Sequence, residues 1–262
     1  MTPSPADAQI LERILRDCGT MLLEALAAGG TAGKWSGAQF KAQADDLAHN
    51  FLVTALSEAF PGVPIVSEEG GANPVAGTAD HFIIDPIDGT ASFAHGFSGW
   101  VTQAAYVSEG RPIAAGIYAP ISNEYFSALC NQGARCNGRH LSVNSTGAPA
   151  MRLIDNYPQP RGVARELMQA LHIPEYVESG SIALKICRVA DRSADLFVKD
   201  MSPRDWDVAA PMLVLTEAGG IITDIAGVPL QLGRSERRHQ GLVAAANTAI
   251  AKQALTSLSS RK

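Results

Sequence analysis

One short segment of the sequence, Phe82-Ile-Ile-Asp85-Pro-Ile-Asp88-Gly-Thr90, has residue types and a spacing that suit metal chemistry. Its three apolar residues predict a buried strand that ends at Asp85, because the proline that follows lacks a backbone donor. Asp88 then falls in a turn, so the two carboxylates can converge on one hard cation such as Mg²⁺, which prefers oxygen ligands. The amides of Gly89 and Thr90 can hold a phosphate oxygen if a helical turn begins there. An ordinary Asp-Pro turn is the alternative for this pattern taken alone.

Three more carboxylates stand where they could join this site. Glu68 follows the strand-like run Ile65-Val66-Ser67, and Asp207 stands after Trp206 at the start of an apolar helical segment. Asp45 lies at the predicted start of the second helix. Taken singly, Glu68 is a solvated side chain and the two aspartates are first-turn acids that the helix dipole favours. Their joint occurrence with the first segment, in this order, favours a shared metal site.

The amino-acid composition and the net charge indicate which kinds of molecule the protein can bind. Hydrophobic residues make up 46% and charged residues 18% of the 262 positions, which indicates a folded core and excludes a disordered chain. The formal net charge is -5. The most basic stretch, Arg234–His239, is typical of a solvated turn, so no nucleic-acid partner is expected. A mildly acidic protein that binds an anionic substrate needs a cation between them.

The cysteines and the apolar segments indicate in which cellular compartment the protein is expected. The four cysteines show neither a CxxC pair nor zinc-like spacing, so we expect free thiols of a reducing compartment. Residues Met1–Ala8 lack the basic region and apolar core of a signal peptide. The segment Val208–Ile222 is interrupted by Glu217 and is too short to cross a bilayer, so no membrane partner is expected. These features favour a cytoplasmic protein.

The elements that must position these carboxylates begin with two amphipathic helices. Apolar residues recur every three or four positions from Ile10 to Leu26, and the glycine pair Gly29-Gly30 predicts the end of that helix. A polar loop at 34–37 precedes a second helical pattern from Asp45 to Phe60. From Ile65 to Leu129 short apolar runs alternate with turn residues, which predicts an antiparallel meander sheet.

After about residue 150 the strand and helix patterns alternate, which predicts a mixed sheet layered with helices. The predicted strands cover 152–156, 195–198, 220–224 and 242–246, and the predicted helices cover 163–171, 181–190, 208–218 and 248–258. The polar stretch Thr146–Met151 suggests a boundary. We therefore expect an N-terminal α+β subdomain, residues 1–148, that carries the metal-binding motifs, and a C-terminal α/β subdomain, residues 149–262, that completes the metal and substrate site.

These motifs resemble the inositol monophosphatase family of metal-dependent phosphatases. The two segments that carry the likeness are Phe82–His95 and Trp206–Gly220. Shorter pieces that also resemble the family are Gly116–Pro120, Gly133–Gly138 and Gly180–Lys185. The likeness covers nearly the whole chain and implies a layered αβαβα sandwich of the sugar-phosphatase type, assembled as a homodimer. It also implies a small phosphorylated substrate and possible inhibition by Li⁺ or Ca²⁺.

The resemblance implies a role for each candidate residue. Two or three Mg²⁺ ions per site would be held by Glu68, Asp85, the carbonyl of Ile87, Asp88, Asp207 and Asp45. Thr90, together with Glu68 and Asp45, would orient the attacking water. Substrate contacts would come from Asp88, Gly89, Thr90, Gly180, Ser181, Ile182, Asp200 and Asp207. Water would attack the phosphorus in line, with no covalent enzyme intermediate.

Three departures from the family pattern bear on the third metal and on the substrate. Ala42 stands where Thr or Ser is common three residues before the acid that matches Asp45, and Ala91-Ser92 replaces a frequent Thr-Asn. Asp200 stands where members that act on inositol phosphates often carry Glu, and its shorter side chain would change the reach to the substrate.

Several alternatives remain open at this point. A 3′(2′),5′-bisphosphate nucleotidase is the main one, followed by a histidinol-phosphate or fructose-bisphosphate phosphatase. We expect residues 172–183 to select the substrate with Asp200, and Tyr176 is the one aromatic residue among them, which favours a sugar or polyol over a base. From other classes, the chain could be a regulatory binding protein on a phosphatase fold, or a structural Ca²⁺-binding protein.

Overall fold

The computed structural model describes residues 3–32, 37–70, 80–143, 150–233 and 239–260, without the side chains at 29–32 and 37–42. Several predictions therefore fall wholly or mostly outside the described residues. They are the polar loop at 34–37, the side chain of Ala42, the boundary near 146–151 and the basic turn at 234–239.

The chain contributes helices at both ends and a long run of strands in its first half. The helices are α1 (Pro5–Ala32), α2 (Gly37–Ala59), α3 (Thr90–Ala94), α4 (Gly162–Ala170), α5 (Ile182–Ala190), α6 (Asp205–Glu217) and α7 (Thr248–Ser259). The first-half strands are β1 (Ile65–Ser67), β2 (His81–Asp88), β3 (Val101–Ser108), β4 (Arg111–Ala119), β5 (Glu124–Leu129), β6 (Ala134–Cys136) and β7 (Arg139–His140). The second-half strands are β8 (Arg152–Asp155), β9 (Glu175–Glu178), β10 (Leu196–Lys199), β11 (Ile221–Thr223) and β12 (Leu242–Ala245).

The strands form two sheets. The first has seven strands in the order β1-β2-β3-β4-β5-β6-β7, in which β1 pairs parallel to β2 and each later neighbour pairs antiparallel. The second has five strands in the order β11-β12-β10-β8-β9, with parallel pairs on both sides of β8 and antiparallel pairs on both sides of β12. The predicted mixed sheet is confirmed, and the predicted antiparallel meander is confirmed from β2 onward. The meander prediction is wrong for β1, which pairs parallel to β2.

Within the described residues, three apolar cores hold five layers together. The apolar stripe of α1 (Leu11, Leu15, Cys18 and Leu22) packs with α2 on one face of the first sheet. The opposite face of that sheet and the inner face of the second sheet enclose α5 and α6. Helices α4 and α7 cover the outer face of the second sheet. This order of layers confirms the predicted αβαβα sandwich.

Two helix boundaries and the end of one strand were predicted wrongly, and three strands were missed. Helix α1 continues through Gly29-Gly30 to Ala32, because extending an existing helix gains one hydrogen bond per residue and outweighs the weak helix propensity of glycine. Helix α2 begins at Gly37, so Asp45 lies inside the helix and not at its start. Strand β2 continues through Pro86 to Asp88, so Asp88 lies in the strand and not in the turn after it. The proline is tolerated because it lies in a bulge, where the ladder of hydrogen bonds is interrupted. Strands β6, β7 and β9 were missed, because two to four residues give too short an alternation to detect. None of the helices that the structure describes is long and apolar enough to cross a membrane.

Candidate metal centre

A bulge in strand β2 brings Asp85 and Asp88 to the same face of the first sheet. Side chains three positions apart in a regular strand point to opposite faces. Here Asp85 stands opposite Gln103 and Asp88 stands opposite Val101, with a register shift between the two pairs. Because Gln103 and Val101 are two positions apart, they share one face, and so do the aspartates opposite them. The extra residue of the bulge therefore aims both carboxylates at the layer that contains α6.

Helix α6 supplies the third carboxylate from its first turn. Asp85, Asp88 and Asp207 each offer an oxygen atom, and these atoms all lie within 4.8 Å of one another. Asp207 accepts the backbone N–H of Arg204, the residue before the helix, at 2.6 Å. The helix-capping interpretation of Asp207 is thus correct, and the same side chain also faces the two aspartates of β2.

The start of helix α5 fixes Asp88 from the other side. The backbone N–H of Ala183 donates to Oδ2 of Asp88 at 2.7 Å, and the N–H of Ile182 donates to Oδ1 at 3.2 Å. Ser181 caps this helix, since its hydroxyl oxygen accepts the N–H of Leu184 at 2.8 Å. The positive end of the helix dipole adds to these bonds. Asp88 is therefore held rigidly in one orientation.

Two glycines allow this close approach. Gly89 has a φ of 92°, and a Cβ there would lie 3.1 Å from both the carbonyl oxygen of Gly99 and the Cβ of Ser181. A Cβ on Gly180 would collide with the same carbonyl oxygen of Gly99 and would lie 2.5 Å from Oγ of Ser92. A larger residue at either position would push the turn after β2 away from the start of α5.

The three carboxylates repel one another in a poorly solvated place. Asp85 is 1% exposed and its pKa is raised well above the usual range, first by burial and then by the charges of Asp88, Glu68 and Asp207. Burial likewise raises the pKa of Asp88, against the opposing effect of the Ala183 amide. For Asp207, burial and then the charge of Asp88 raise the pKa to about 7. A bound cation would remove this repulsion.

The donor set fits a hard divalent cation. Among the described residues, Oδ2 of Asp85 is buried and has no hydrogen-bond partner, although a buried carboxylate oxygen normally has one. Within the part of the chain that the structure describes, the cluster contains carboxylates and neither a sulfur nor an imidazole, which suits Mg²⁺ or Ca²⁺ better than zinc.

The other predicted site residues lie around this centre at different depths. Glu68 is exposed just after β1, beside the end of β2, and its N–H donates to the carbonyl of Ile84 at 3.4 Å. Thr90 begins α3, and its hydroxyl donates to the carbonyl oxygen of Ile87 at 3.2 Å. Asp200 is exposed immediately after β10. Asp45 is buried within α2 and does not belong to the three-carboxylate group.

A fully buried lysine was not predicted as part of the site. Nζ of Lys185 donates to the carbonyl oxygen of Gly180 at 2.8 Å and to Oδ1 of Asn156, and it lies 4.9 Å from the centre of the Phe197 ring. Burial, followed by the charge of Lys199, lowers its pKa to about 7. Lys185 thereby braces the turn that leads into α5. Apart from its place in the segment 180–185, nothing in the sequence pointed to this role.

A cavity of about 630 Å³ borders the backbones of Gly99 and Gly180. Its walls come from the turn after α3, from the end of β4 and from the segment after β8 and β9. Phe97, which is 66% exposed, and Asn156 are part of its lining, together with Gly180. Tyr176, the aromatic residue considered from the sequence, instead donates its hydroxyl to the carbonyl of Tyr157 at 2.7 Å.

Comparisons with known proteins agree with this architecture. A family model described as "Inositol monophosphatase family" matches residues 7–261. The chain is 33% identical over 201 residues to a protein of Xylella fastidiosa named "Nus factor SuhB", covering 72% of this chain and 70% of that one. It is 28% identical over 211 residues to "Inositol monophosphatase 1" of Bos taurus, covering 76% of each. The crystal structure of "extragenic suppressor protein suhB" from Bartonella henselae superposes with a TM-score of 0.79 at 26% identity, covering 97% of this chain and 98% of that one.

Proposed function

Because the chain belongs to the inositol monophosphatase family, we propose that it is a Mg²⁺-dependent phosphatase that hydrolyses a small phosphate monoester. The observation that carries the proposal is the group of Asp85, Asp88 and Asp207, whose oxygen atoms lie within 4.8 Å of one another. Their raised pKa values mean that the group is costly to keep ionised without a cation. A cluster of this kind is a functional-site candidate on physical grounds.

Two or three Mg²⁺ ions would be held by a small set of oxygen donors. These are Asp85, Asp88, Asp207, Glu68, the carbonyl of Ile87 and, for a third ion or its waters, Asp45. When bound, such ions neutralise the phosphate dianion and lower the pKa of an attacking water. The amides of Ala183 and Ile182 keep Asp88 in place during the reaction.

Thr90 is the residue that we assign to the attacking water. Because its hydroxyl proton is committed to the carbonyl of Ile87, its oxygen lone pairs are free to accept a hydrogen bond from water. That bond would point the water oxygen toward the phosphorus. The backbone amides of Gly89 and Thr90, in the turn that starts α3, would hold a phosphoryl oxygen as its charge grows.

We infer that the rest of the substrate contacts the rim formed by Gly180, Ser181, Ile182 and Asp200. The exposed carboxylate of Asp200 suits hydroxyl groups, which favours a sugar or polyol phosphate. One observation favours the 3′(2′),5′-bisphosphate nucleotide instead. Phe97 presents an exposed ring to the adjacent cavity, and such a ring can stack on a base.

The test is phosphate release from a panel of monoesters with and without Mg²⁺. The panel contains inositol 1-phosphate, histidinol phosphate, 3′-phosphoadenosine 5′-phosphate and fructose 1,6-bisphosphate, and Asp88→Asn serves as the control. We expect Mg²⁺-dependent turnover of one compound, abolished in the variant. Equal activity of the wild type and Asp88→Asn would rule out the proposed site. A Phe97→Ala variant that loses turnover of the nucleotide alone would support a nucleotide substrate whose base stacks on Phe97.

The names of several relatives support a second candidate function. Several relatives, including the one from Xylella fastidiosa, are named "Nus factor SuhB", which is not the name of an enzyme. A regulatory binding role on this fold would not require the metal-binding carboxylates. Complementation of a deletion strain by Asp88→Asn would therefore support the regulatory role, and failure of that variant would support the enzyme.

The family resemblance also leads us to propose a homodimer. Light scattering of the purified chain measures its mass directly, and a single species at twice the chain mass of 27.6 kDa is expected. A monomer at all concentrations would contradict this assignment.

A further inference from the structure

Gln103 has a buried side-chain amide that the fold leaves without a partner. The residue is 1% exposed, and within the described part of the chain neither Nε2 nor Oε1 takes part in a hydrogen bond. A buried amide in this state destabilises the folded protein, and most buried polar groups are paired. We therefore looked for a group near Gln103 that could form a hydrogen bond with this amide in another state of the protein, such as a ligand-bound state.

The neighbours of Gln103 restrict what this partner can be. Across the sheet it stands opposite Asp85 on β2 and opposite Ile117 on β4. Along its own strand the residues on the same face are Val101 and Ala105. Of these four neighbours, Asp85 alone has a side chain that can accept a hydrogen bond.

Asp85 offers a suitable acceptor for this amide. Its Oδ1 accepts the N–H of Ile87 at 3.2 Å, whereas its Oδ2 has no partner among the described residues. Side chains of directly opposite residues in an antiparallel pair have Cβ atoms about 4.5–5.5 Å apart. The terminal amide torsion of glutamine is broad, so a rotation can bring Nε2 toward the carboxylate.

We propose that Gln103 is a positioning residue of the metal centre, whose side-chain N–H donates to Oδ2 of Asp85 when that carboxylate holds a cation. Outer groups of this kind orient ligating carboxylates and raise metal affinity. The inference rests on the proposed function insofar as Asp85 is a metal ligand. It adds a residue to which neither the sequence motifs nor the family resemblance assigned a role.

The experiment measures Mg²⁺ binding to the substrate-free protein by isothermal titration calorimetry. Gln103→Met keeps the length and shape of the side chain and removes the amide. Thr102→Val is the matched control, because Thr102 is equally buried on the same strand but faces helix α1, where its hydroxyl contacts Sγ of Cys18 at 3.8 Å. Gln103→Asn retains an amide on a shorter arm.

For Gln103→Met we expect the dissociation constant of Mg²⁺ to rise about tenfold. We also expect its unfolding midpoint in EDTA to be no lower than that of the wild type, because the unpartnered amide is gone. Thr102→Val should bind Mg²⁺ like the wild type, and Gln103→Asn should lose less affinity than Gln103→Met.

Three outcomes would overturn the proposal, and they separate its failure from the failure of the proposed function. If the wild type binds Mg²⁺ and Gln103→Met binds it within twofold, or if Thr102→Val loses as much affinity, Gln103 has no positioning role and the metal centre stands. If the wild type binds no Mg²⁺ at all, the proposed metal-dependent function fails as well.

Discussion

Replacing Asp207 by asparagine should stabilise the metal-free protein while it weakens the metal centre. The substitution removes one of three mutually repelling carboxylates and keeps the shape of the side chain. It also keeps an oxygen that can accept the N–H of Arg204, the bond that is 2.6 Å long in the wild type. The expected gain in the free energy of unfolding therefore comes from the removed charge alone, because the helix cap is kept.

The size of the gain follows from the raised pKa of Asp207. The pKa is 3.8 for the unfolded chain and about 7 in the folded protein, so the folded state binds the proton more tightly. Stability of the wild type therefore falls as pH rises from about 4 through about 7, at about 1.4 kcal/mol per pH unit. By pH 8 the accumulated cost is about 4 kcal/mol. Asp207→Asn should recover up to that amount at pH 8 and almost none at pH 4.

The assay is urea unfolding in EDTA at pH 4, 6 and 8, repeated with saturating Mg²⁺. Asp200→Asn is the matched control, because it makes the same substitution at an exposed position nearby. Mg²⁺ should stabilise the wild type at pH 8 far more than it stabilises Asp207→Asn. If Asp207→Asn is no more stable than the wild type at pH 8, or if the difference is the same at pH 4, the electrostatic account of the site is wrong.

Further predictions concern the turn before α5 and the bound ions. Gly180→Ala should reduce turnover more than tenfold and destabilise the fold by about 1–3 kcal/mol, because its Cβ collides with the carbonyl of Gly99; steady-state kinetics and urea unfolding measure the two effects. Wild-type activity in that variant would show that the turn can shift freely. The pKa of Lys185 falls from 10.5 unfolded to about 7 folded, so its buried charge makes stability rise between pH 7 and pH 10. Lys185→Met should abolish that rise, and an unchanged pH slope in urea unfolding would contradict the assignment. Ca²⁺ should compete with Mg²⁺ and inhibit hydrolysis, and Li⁺ should inhibit it as well; turnover supported by Ca²⁺ alone would exclude a requirement for strict octahedral ligation.

The sequence was sufficient for the fold class, and it singled out the three carboxylates that the structure brings together. Long apolar periodicities predicted the helices, and strands separated by tight turns predicted the first sheet. The convergence of Asp85 and Asp88 could be anticipated from their motif. The bulge that achieves it could not, because register depends on the partner strand as well as on β2.

The roles of buried polar side chains could not be predicted from sequence patterns. Gln103 occupies an inward position of a regular strand, and Lys185 occupies a buried turn of α5, so neither has a distinctive local pattern. The amide of Ala183 is a backbone group and has no sequence signature. Asp45 was placed at a helix start because its polar neighbours resemble a cap, whereas α2 begins eight residues earlier, at Gly37.

The buried polar groups on β2, β3, α5 and α6 argue for a bound cation over a surface that serves only to bind a partner. Asp85, Asp88 and Asp207 repel one another, the amide of Gln103 has no partner among the described residues, and Lys185 carries a charge into the core. Each of these features opposes folding by itself. A surface that serves only to bind a partner gains nothing from them, since they lie beneath the surface. A cation offsets the acidic charge, and an ionised Asp85 would give the Gln103 amide an acceptor, so one bound ion accounts for the first two of these costs.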